Sequence, residues 1–121
     1  MRQQRGKIAS LTGRMAEENV TRVYQSHGAT LLETRWRGKA GEIDLILRDG
    51  DELVFVEVKA STTHAAAAQR LLPAQMRRIM QAACEYCAVT GLGQDVAMRF
   101  DAALVDELGR VDLIPNAFDA T

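Results

Sequence analysis

The sequence predicts a single domain of the α/β or α+β class, in which helices flank one β-sheet. Two segments repeat apolar residues with the period of an α-helix, and runs rich in valine, isoleucine and leucine lie between and after them. The length of 121 residues fits one domain of ordinary size. No repeat and no internal linker divides the chain, so we expect a single unit.

The predicted elements follow one another as helix, three strands, helix and strand. The first helix covers about residues 10–27, where Val20 and Tyr24 share an apolar stripe, and Gly28 is a typical C-terminal stop. The second helix begins at Pro73, a residue that suits the first helical turn. The predicted strands are Leu31–Arg37, Glu42–Arg48, Leu53–Lys59, Val96–Asp101 and a short fifth at Val111–Ile114. A loop with an alanine run is expected between residue 60 and the second helix.

Composition and cysteine content indicate a cytoplasmic protein without a membrane partner. Hydrophobic residues make up 47% of the chain, yet apolar runs such as Leu53–Val56 are far shorter than the roughly 20 residues of a membrane span. The first residues contain no apolar stretch of signal-peptide length. Two cysteines without a repeated spacing do not suggest a secreted disulfide scaffold.

Charge divides the chain into a basic and an acidic part. Residues 1–39 hold eight basic and three acidic side chains, whereas residues 40–121 carry a net charge of −6. A protein that grips phosphates in one place and a cation in another needs such a division. The plainer interpretation is a flexible basic segment, residues 1–9, ahead of an ordinary acidic domain over residues 10–121.

The most informative segment is GEIDLILRDGDELVFVEVK over residues 41–59, whose Asp-Gly dipeptide between two β-rich runs predicts a hairpin. If the loop consists of residues 49–52, Asp44 lies directly opposite Glu57 and Glu42 faces Lys59. A two-residue loop would move the acidic pair to a diagonal position on the same face. Directly opposed side chains have Cβ atoms about 4.5–5.5 Å apart. Two carboxylates and an ammonium group are therefore expected to converge on one sheet surface.

Two carboxylates this close repel each other, and a raised pKa or a bound cation relieves the repulsion. Mg²⁺ takes oxygen ligands from one or two carboxylates and keeps waters for a phosphate substrate. Lys59 could then hold the attacking water or neutralise charge on a phosphoryl oxygen. Glu17 in the first helix would add a third acid if that helix packs over the same sheet face. The alternative interpretation is that Glu57 and Lys59 are solvated charges that discourage aggregation of an edge hairpin.

The hairpin motif resembles the YraN family (UPF0102), a bacterial group that is similar to archaeal Holliday-junction resolvases. The other matching motifs are Gly13-x-x-x-Glu17, Trp36-Arg37, Ala82-Ala83-x-x-Tyr86 and Arg99-Phe100-Asp101, so the similarity covers about residues 13–105. The resemblance implies a restriction-endonuclease-like fold of the PD-(D/E)xK class. This fold has an αβββαβ core, with a mixed sheet flanked by helices.

The resemblance also implies hydrolysis of DNA phosphodiester bonds with Mg²⁺ or Mn²⁺ as cofactor. It implies that Asp44 and Glu57 are metal ligands and that the backbone carbonyl of Val58 joins the metal shell. Lys59 is implied as the catalytic lysine, and Glu17 as the acid carried by the first helix.

The chain departs from the family pattern in the loop after residue 60, where an alanine run stands in place of a phenylalanine-glycine pair, and at two further positions near this motif. The family usually carries an arginine where Ser61 stands, and it tends to carry a lysine near Gln75. Both positions are expected to lie outside the metal cluster, towards the path of the substrate, and so to affect the grip on substrate more than the metal chemistry.

Functions from different classes remain open. The leading hypothesis is a metal-dependent endonuclease for DNA, including branched or junction DNA, for which a homodimer would cut two strands. The alternative is a nucleic-acid-binding or scaffolding module that keeps the nuclease fold with little or no catalysis. A hydrolase for smaller phosphoesters is a third hypothesis.

Overall fold

The computed structural model describes residues 2–92 and 95–118, with side chains described from residue 13 onward within these ranges. The elements, in chain order, are α1 (Arg2–Ser26), β1 (Thr30–Arg37), β2 (Glu42–Asp49), β3 (Glu52–Ala60), α2 (His64–Ala68), α3 (Pro73–Val89), β4 (Ala97–Val105) and β5 (Val111–Ile114). None of the described helices is both long enough and apolar enough to cross a membrane.

The five strands form one sheet in the order β1-β2-β3-β4-β5. Neighbouring strands are antiparallel except β3 and β4, which run parallel and are joined by a crossover through α2 and α3. The sheet is therefore mixed and flanked by helices, which confirms the predicted α/β class and is consistent with a restriction-endonuclease-like core.

Helix α1 covers one face of the sheet. The buried residues on this side include Ala16, Val20, Tyr24, Leu45, Leu47, Val54, Val56, Ala103 and Val105. Their spacing is four along the helix and two along the strands, as expected for one face of each element. The helix ends where Gly28 takes a φ of +92°, a conformation that glycine adopts without a steric penalty, so the predicted stop is confirmed.

Helix α3 covers the opposite face and begins at Pro73, as predicted. The buried residues on this side include Ile43, Ile46, Leu53, Phe55, Ile79, Ala82, Ala83, Tyr86 and Phe100. The Phe55 ring stacks on Phe100 at a centroid distance of 5.5 Å and meets Tyr86 edge-on at 6.1 Å. Strand β3 is thus buried on both sides, with alternate residues in the two cores.

Helix α1 and the segment after residue 60 differ from the prediction. Helix α1 begins at Arg2 rather than near Ser10; the expected flexibility of residues 1–9 concerns residues whose side chains lie outside the described part, and it stays a prediction. The loop expected after residue 60 contains the short helix α2. Thr63 caps this helix by accepting a hydrogen bond from the amide of Ala66 at 3.0 Å, and the run of four alanines after His64 shows no helical stripe that would reveal it.

A buried polar cluster ties α1 to β4. Asp101 is 1% exposed, and its carboxylate accepts hydrogen bonds from the Tyr24 hydroxyl at 2.6 Å, from Arg99 Nε at 3.0 Å and from the amide of Asn116 at 3.0 Å. Burial and the adjacent Asp101 carboxylate raise the pKa of Tyr24, so the phenol stays protonated and donates. The buried charge is therefore fully partnered, which is the condition under which it is tolerated.

We expect Tyr24→Phe to lower the free energy of unfolding by about 1–3 kcal/mol, because it leaves the buried Asp101 carboxylate with one donor fewer. The matched control is Tyr86→Phe, since the Tyr86 hydroxyl makes no hydrogen bond with a described residue although its ring is buried. Urea unfolding followed by circular dichroism measures both variants. Equal losses in the two variants would show that the Tyr24 hydroxyl contributes nothing specific.

Candidate metal centre

The predicted acidic pair lies at one end of the β2–β3 hairpin. The last paired residues of this ladder are Leu45 and Val56, and Asp44 and Glu57 occupy the next position along the two strands. The predicted register is therefore confirmed, and the two acids follow directly on the buried part of the sheet.

The turn at the other end of the hairpin differs from the prediction. It is a two-residue turn of Gly50 and Asp51, in which Gly50 takes a φ of +63°. The expectation that such a turn would move the acids to a diagonal is wrong, because Asp49 and Glu52 pair across it and keep the same register.

The Asp44 carboxylate is fixed by the backbone of the neighbouring strand. Its Oδ2 accepts a hydrogen bond from the amide of Val58 at 2.8 Å, so the side chain reaches across from β2 to the β3 backbone beyond the last ladder pair. The N–H and C=O groups of one strand residue point to the same side. The carbonyl of Val58 therefore also faces β2, on the side from which Asp44 approaches.

The Glu57 carboxylate is held by two nitrogen donors. Glu57 is only 4% exposed. Its Oε1 lies 3.0 Å from Lys59 Nζ and accepts a hydrogen bond from Gln75 Nε2, also at 3.0 Å. No nitrogen donor of a described residue reaches Oε2, and the Asp44 carboxyl group lies within hydrogen-bond reach of Glu57, so the two acids can share a proton or a cation.

Burial raises the pKa of both carboxyl groups. Burial is the larger cause for Asp44 and the charge of Glu57 comes next; together they raise its pKa to about 7 against the opposing hydrogen bond from Val58. Burial also raises the pKa of Glu57, and the neighbouring Lys59 opposes this shift. A shared proton or a bound cation stabilises a pair of acids in such surroundings.

Asp44 and Glu57 line a small cleft of about 170 Å³ between the hairpin and α3. The cleft is lined by Gly41, Glu42, Asp44, Glu57, Gln75, Arg78 and Ile79. Glu42 was expected to face Lys59, but its nearest cation is Arg37, at 3.6 Å. The cleft is therefore acidic on its hairpin wall and carries an amide and a guanidinium on its helical wall.

Glu17 does not lie in this cleft. Glu17 would join the acidic pair only if α1 packed over the sheet face that carries Glu57. Helix α1 instead packs against Val54 and Val56 on the opposite face. Glu17 Oε1 instead forms an ion pair with Arg35 Nε at 3.0 Å. The negative charge of Glu17 still helps to raise the pKa of Asp44, so the charges of both Glu17 and Glu57 act on this carboxyl group.

Of the two single-residue departures from the family pattern, one lies where it was expected and the other does not. Ser61 is outside the cleft lining, and its amide donates to the carbonyl of Val105. The prediction that Gln75 lies outside the cluster is wrong, because its side chain donates directly to Glu57. Sequence reasoning missed this contact because it joins α3 to β3 across 18 positions. The one signal for it was that Gln75 lies in the first turns of the helix that begins at Pro73.

The oxygen donors fit a hard divalent cation of the Mg²⁺ type. Asp44, Glu57 and the Val58 carbonyl supply three oxygens, and Mg²⁺ commonly binds one or two carboxylates and retains several waters. Within residues 2–92 and 95–118, no group of three or more His, Cys, Asp or Glu side chains is arranged to hold a metal ion. A metal here would therefore depend on the acidic pair and the backbone, with positions left open to water and substrate.

The mixed sheet, the flanking helices and the acidic pair at the end of the hairpin define an α/β protein with a restriction-endonuclease-like core. Residues 16–105 match the model of a family described as "Uncharacterised protein family UPF0102". The chain belongs to the UPF0102 family.

Relatives with the same family name are similar over almost their whole length. A UPF0102 protein of Cereibacter sphaeroides is 54% identical over 115 residues, which cover 95% of this chain and 98% of the relative. A UPF0102 protein of Ruegeria pomeroyi is 51% identical over 94% of this chain and 93% of its own length. A UPF0102 protein of Roseobacter denitrificans is 46% identical over 93% of this chain and 87% of its own length.

In metal-free buffer we expect Asp44→Asn to stabilise the protein, and to do so increasingly as the pH rises from about 4 to about 8. The pKa of Asp44 is higher in the folded state, so its favourable contribution is complete below the unfolded value of 3.8 and is lost as the pH rises through about 7. Scanning calorimetry with EDTA should show a Tm difference of a few degrees at the alkaline end.

The control for this measurement is Asp51→Asn, which removes an exposed carboxylate from the hairpin turn. Its Tm should follow that of the wild type at every pH. A Tm difference between Asp44→Asn and the wild type that does not change with pH would contradict the assigned repulsion.

Proposed function

We propose that the protein is a metal-dependent endonuclease that hydrolyses phosphodiester bonds of DNA in the cytoplasm. The observation that carries the proposal is the placement of Asp44 and Glu57 side by side in an open cleft, with the Lys59 ammonium 3.0 Å from Glu57 Oε1. Repelling acids that are kept partly buried next to a cation are typical of functional sites rather than of stabilising contacts. The free thiols of Cys84 and Cys87 agree with a reducing compartment.

Three oxygen groups would hold the metal. They are the carboxylates of Asp44 and Glu57 and the carbonyl of Val58, with Mg²⁺ or Mn²⁺ as the ion. A divalent ion at such a site lowers the pKa of its bound water and neutralises charge on the phosphate. The hydrogen bond from the Val58 amide orients Asp44, and the donors on Oε1 orient Glu57.

Lys59 is the proposed catalytic lysine. Its side chain is 14% exposed and its ammonium contacts Glu57 Oε1, so the group is held in place while part of it remains accessible. An ammonium has three N–H donors. One can remain on Glu57 while another orients the attacking water or neutralises charge that develops on a phosphoryl oxygen.

Glu17 has a more distant role in this proposal than the three hairpin residues. It is paired with Arg35 and would act on the centre through its electric field at Asp44. The proposed substrates are branched or junction DNA, and a homodimer would allow two strands to be cut. We propose the dimer only as the assembly that such a substrate requires.

We expect purified protein to cleave some member of a panel of flapped, forked and four-way DNA in the presence of Mg²⁺ or Mn²⁺. Glu57→Gln and Asp44→Asn should each lower the cleavage rate by at least about 100-fold, because each neutral amide is a poorer ligand for a hard cation. Gel-based cleavage and calorimetric titration with Mn²⁺ measure the two effects separately. Asp51→Asn should cleave and bind metal like the wild type.

The alternative is a nucleic-acid-binding module without catalysis. It is favoured by the fact that, among the described residues, no three acidic, histidine or cysteine side chains are arranged to hold a metal ion, and that one oxygen of Glu57 already has two donors. It predicts salt-dependent DNA binding that survives both substitutions, without uptake of Mn²⁺. Equal cleavage by wild type and Glu57→Gln would refute the nuclease proposal, and turnover of nucleotides alone would indicate a hydrolase for smaller phosphoesters.

Gln75→Ala should lower the affinity for Mn²⁺ by about 10-fold, because loss of a hydrogen bond to a metal-ligating side chain typically costs 10- to 100-fold. The matched control is Gln81→Ala, which removes the same side chain from an exposed position of the same helix. Calorimetric titration of both variants with Mn²⁺ tests the effect. Indistinguishable affinities would mean that Gln75 does not orient Glu57.

A further inference from the structure

Helix α3 supplies the wall of the cleft that faces the acidic pair. Gln75, Arg78 and Ile79 line it, and they lie on one side of the helix because they are three and four positions apart. Gln75 contacts Glu57, and Ile79 is 2% exposed in the core beneath. Arg78 is exposed, so it is the group on this wall that a substrate would meet.

Arg78 differs from the other cations near the acidic pair. Lys59 is paired with Glu57 and Arg37 with Glu42, whereas Arg78 forms no ion pair with any described residue. It lines the same cleft as three carboxylates and yet lies beyond ion-pair distance from all of them. Its five N–H donors are therefore available to a ligand, and their planar arrangement matches the oxygens of a phosphate.

The base of the Arg78 side chain lies next to Gly41 in the β1–β2 loop. A Cβ atom placed on Gly41 would lie 3.6 Å from Arg78 Cβ, which is ordinary contact distance. Glu85, two helical turns further along the same side of α3, accepts hydrogen bonds from the amides of Lys39 at 2.8 Å and Ala40 at 2.7 Å. The loop is thus held against the helix that carries Arg78.

We propose that Arg78 is a substrate-binding residue that donates hydrogen bonds to a phosphate of the DNA strand lying over Asp44 and Glu57. The inference rests on the proposed function and names the side chain that receives the substrate. A phosphate approaching two carboxylates is repelled unless cations surround it. With a metal on the hairpin wall and Arg78 on the helical wall, the phosphate lies between positive charges on both sides.

The neighbouring Arg77 provides a matched control. It carries the same charge on the same helix and is also exposed, but it is not part of the cleft lining. A general attraction of DNA to the helix would involve both arginines equally. A specific contact in the cleft involves Arg78 alone.

The experiment compares Arg78→Gln, Arg77→Gln and Arg78→Lys with the wild type on one fluorescent flapped duplex. Anisotropy gives the DNA affinity as a function of salt, cleavage gives kcat and KM, and titration gives the Mn²⁺ affinity. For Arg78→Gln we expect a 10- to 100-fold fall in kcat/KM, and a salt slope of binding that is smaller by about 1. Arg77→Gln should change either quantity by less than about 2-fold, and Arg78→Lys should recover part of the loss.

The Mn²⁺ affinity separates this inference from the proposed function. If Arg78→Gln binds Mn²⁺ as the wild type does but binds DNA more weakly, the arginine acts on the substrate and the inference is supported. Equal effects of Arg77→Gln and Arg78→Gln on the salt slope would overturn it, whether or not the wild type cleaves DNA. Failure of the wild type both to cleave and to take up Mn²⁺ would instead overturn the proposed nuclease.

Discussion

The electrostatic repulsion between Asp44 and Glu57 is the constraint on which the rest of the cleft depends. The hairpin register places these acids next to each other, and burial removes much of the water that would screen them. Each contact around them relieves this cost in part: the Val58 amide on Asp44, and the Lys59 ammonium and the Gln75 amide on Glu57. Because the relief is incomplete, a bound cation would stabilise the pair further.

Asp44 and Glu57 stay close together, although they repel each other, because the packing of the sheet fixes the strands that carry them. Strand β3 is central and is packed from both sides, by α1 through Val54 and Val56 and by α3 through Leu53 and Phe55. Rotating the strand to release Glu57 into solvent would expose these apolar side chains, at about 1.5–3 kcal/mol for each one that is fully exposed. The two apolar cores therefore stabilise the electrostatic arrangement at their edge.

The contacts of the site within the hairpin could be predicted from the sequence, whereas the contacts between the helices and the sheet could not. The pairing of Asp44 with Glu57 follows from alternation and a short turn, which are properties of adjacent residues. The side of the sheet that α1 covers does not follow in this way, because helical periodicity defines an apolar stripe but not its partner, and so the role of Glu17 stays conditional on the packing of α1. The contact between Gln75 and Glu57 also depends on which helix covers which face, so the sequence did not predict it. The end of β4 was also missed, since Ala102 to Val105 are buried on both sides and do not alternate.

The parallel pairing of β3 with β4 has a consequence for the order in which the chain assembles. The hairpin can close early because its partners are adjacent in sequence, whereas α3 reaches the cleft from further along the chain and needs the segment after β3 to be ordered first. Until then the acids lack their amide partner and the opposite wall is missing. A chain in which α3 has not yet packed against the hairpin therefore cannot present a complete cleft.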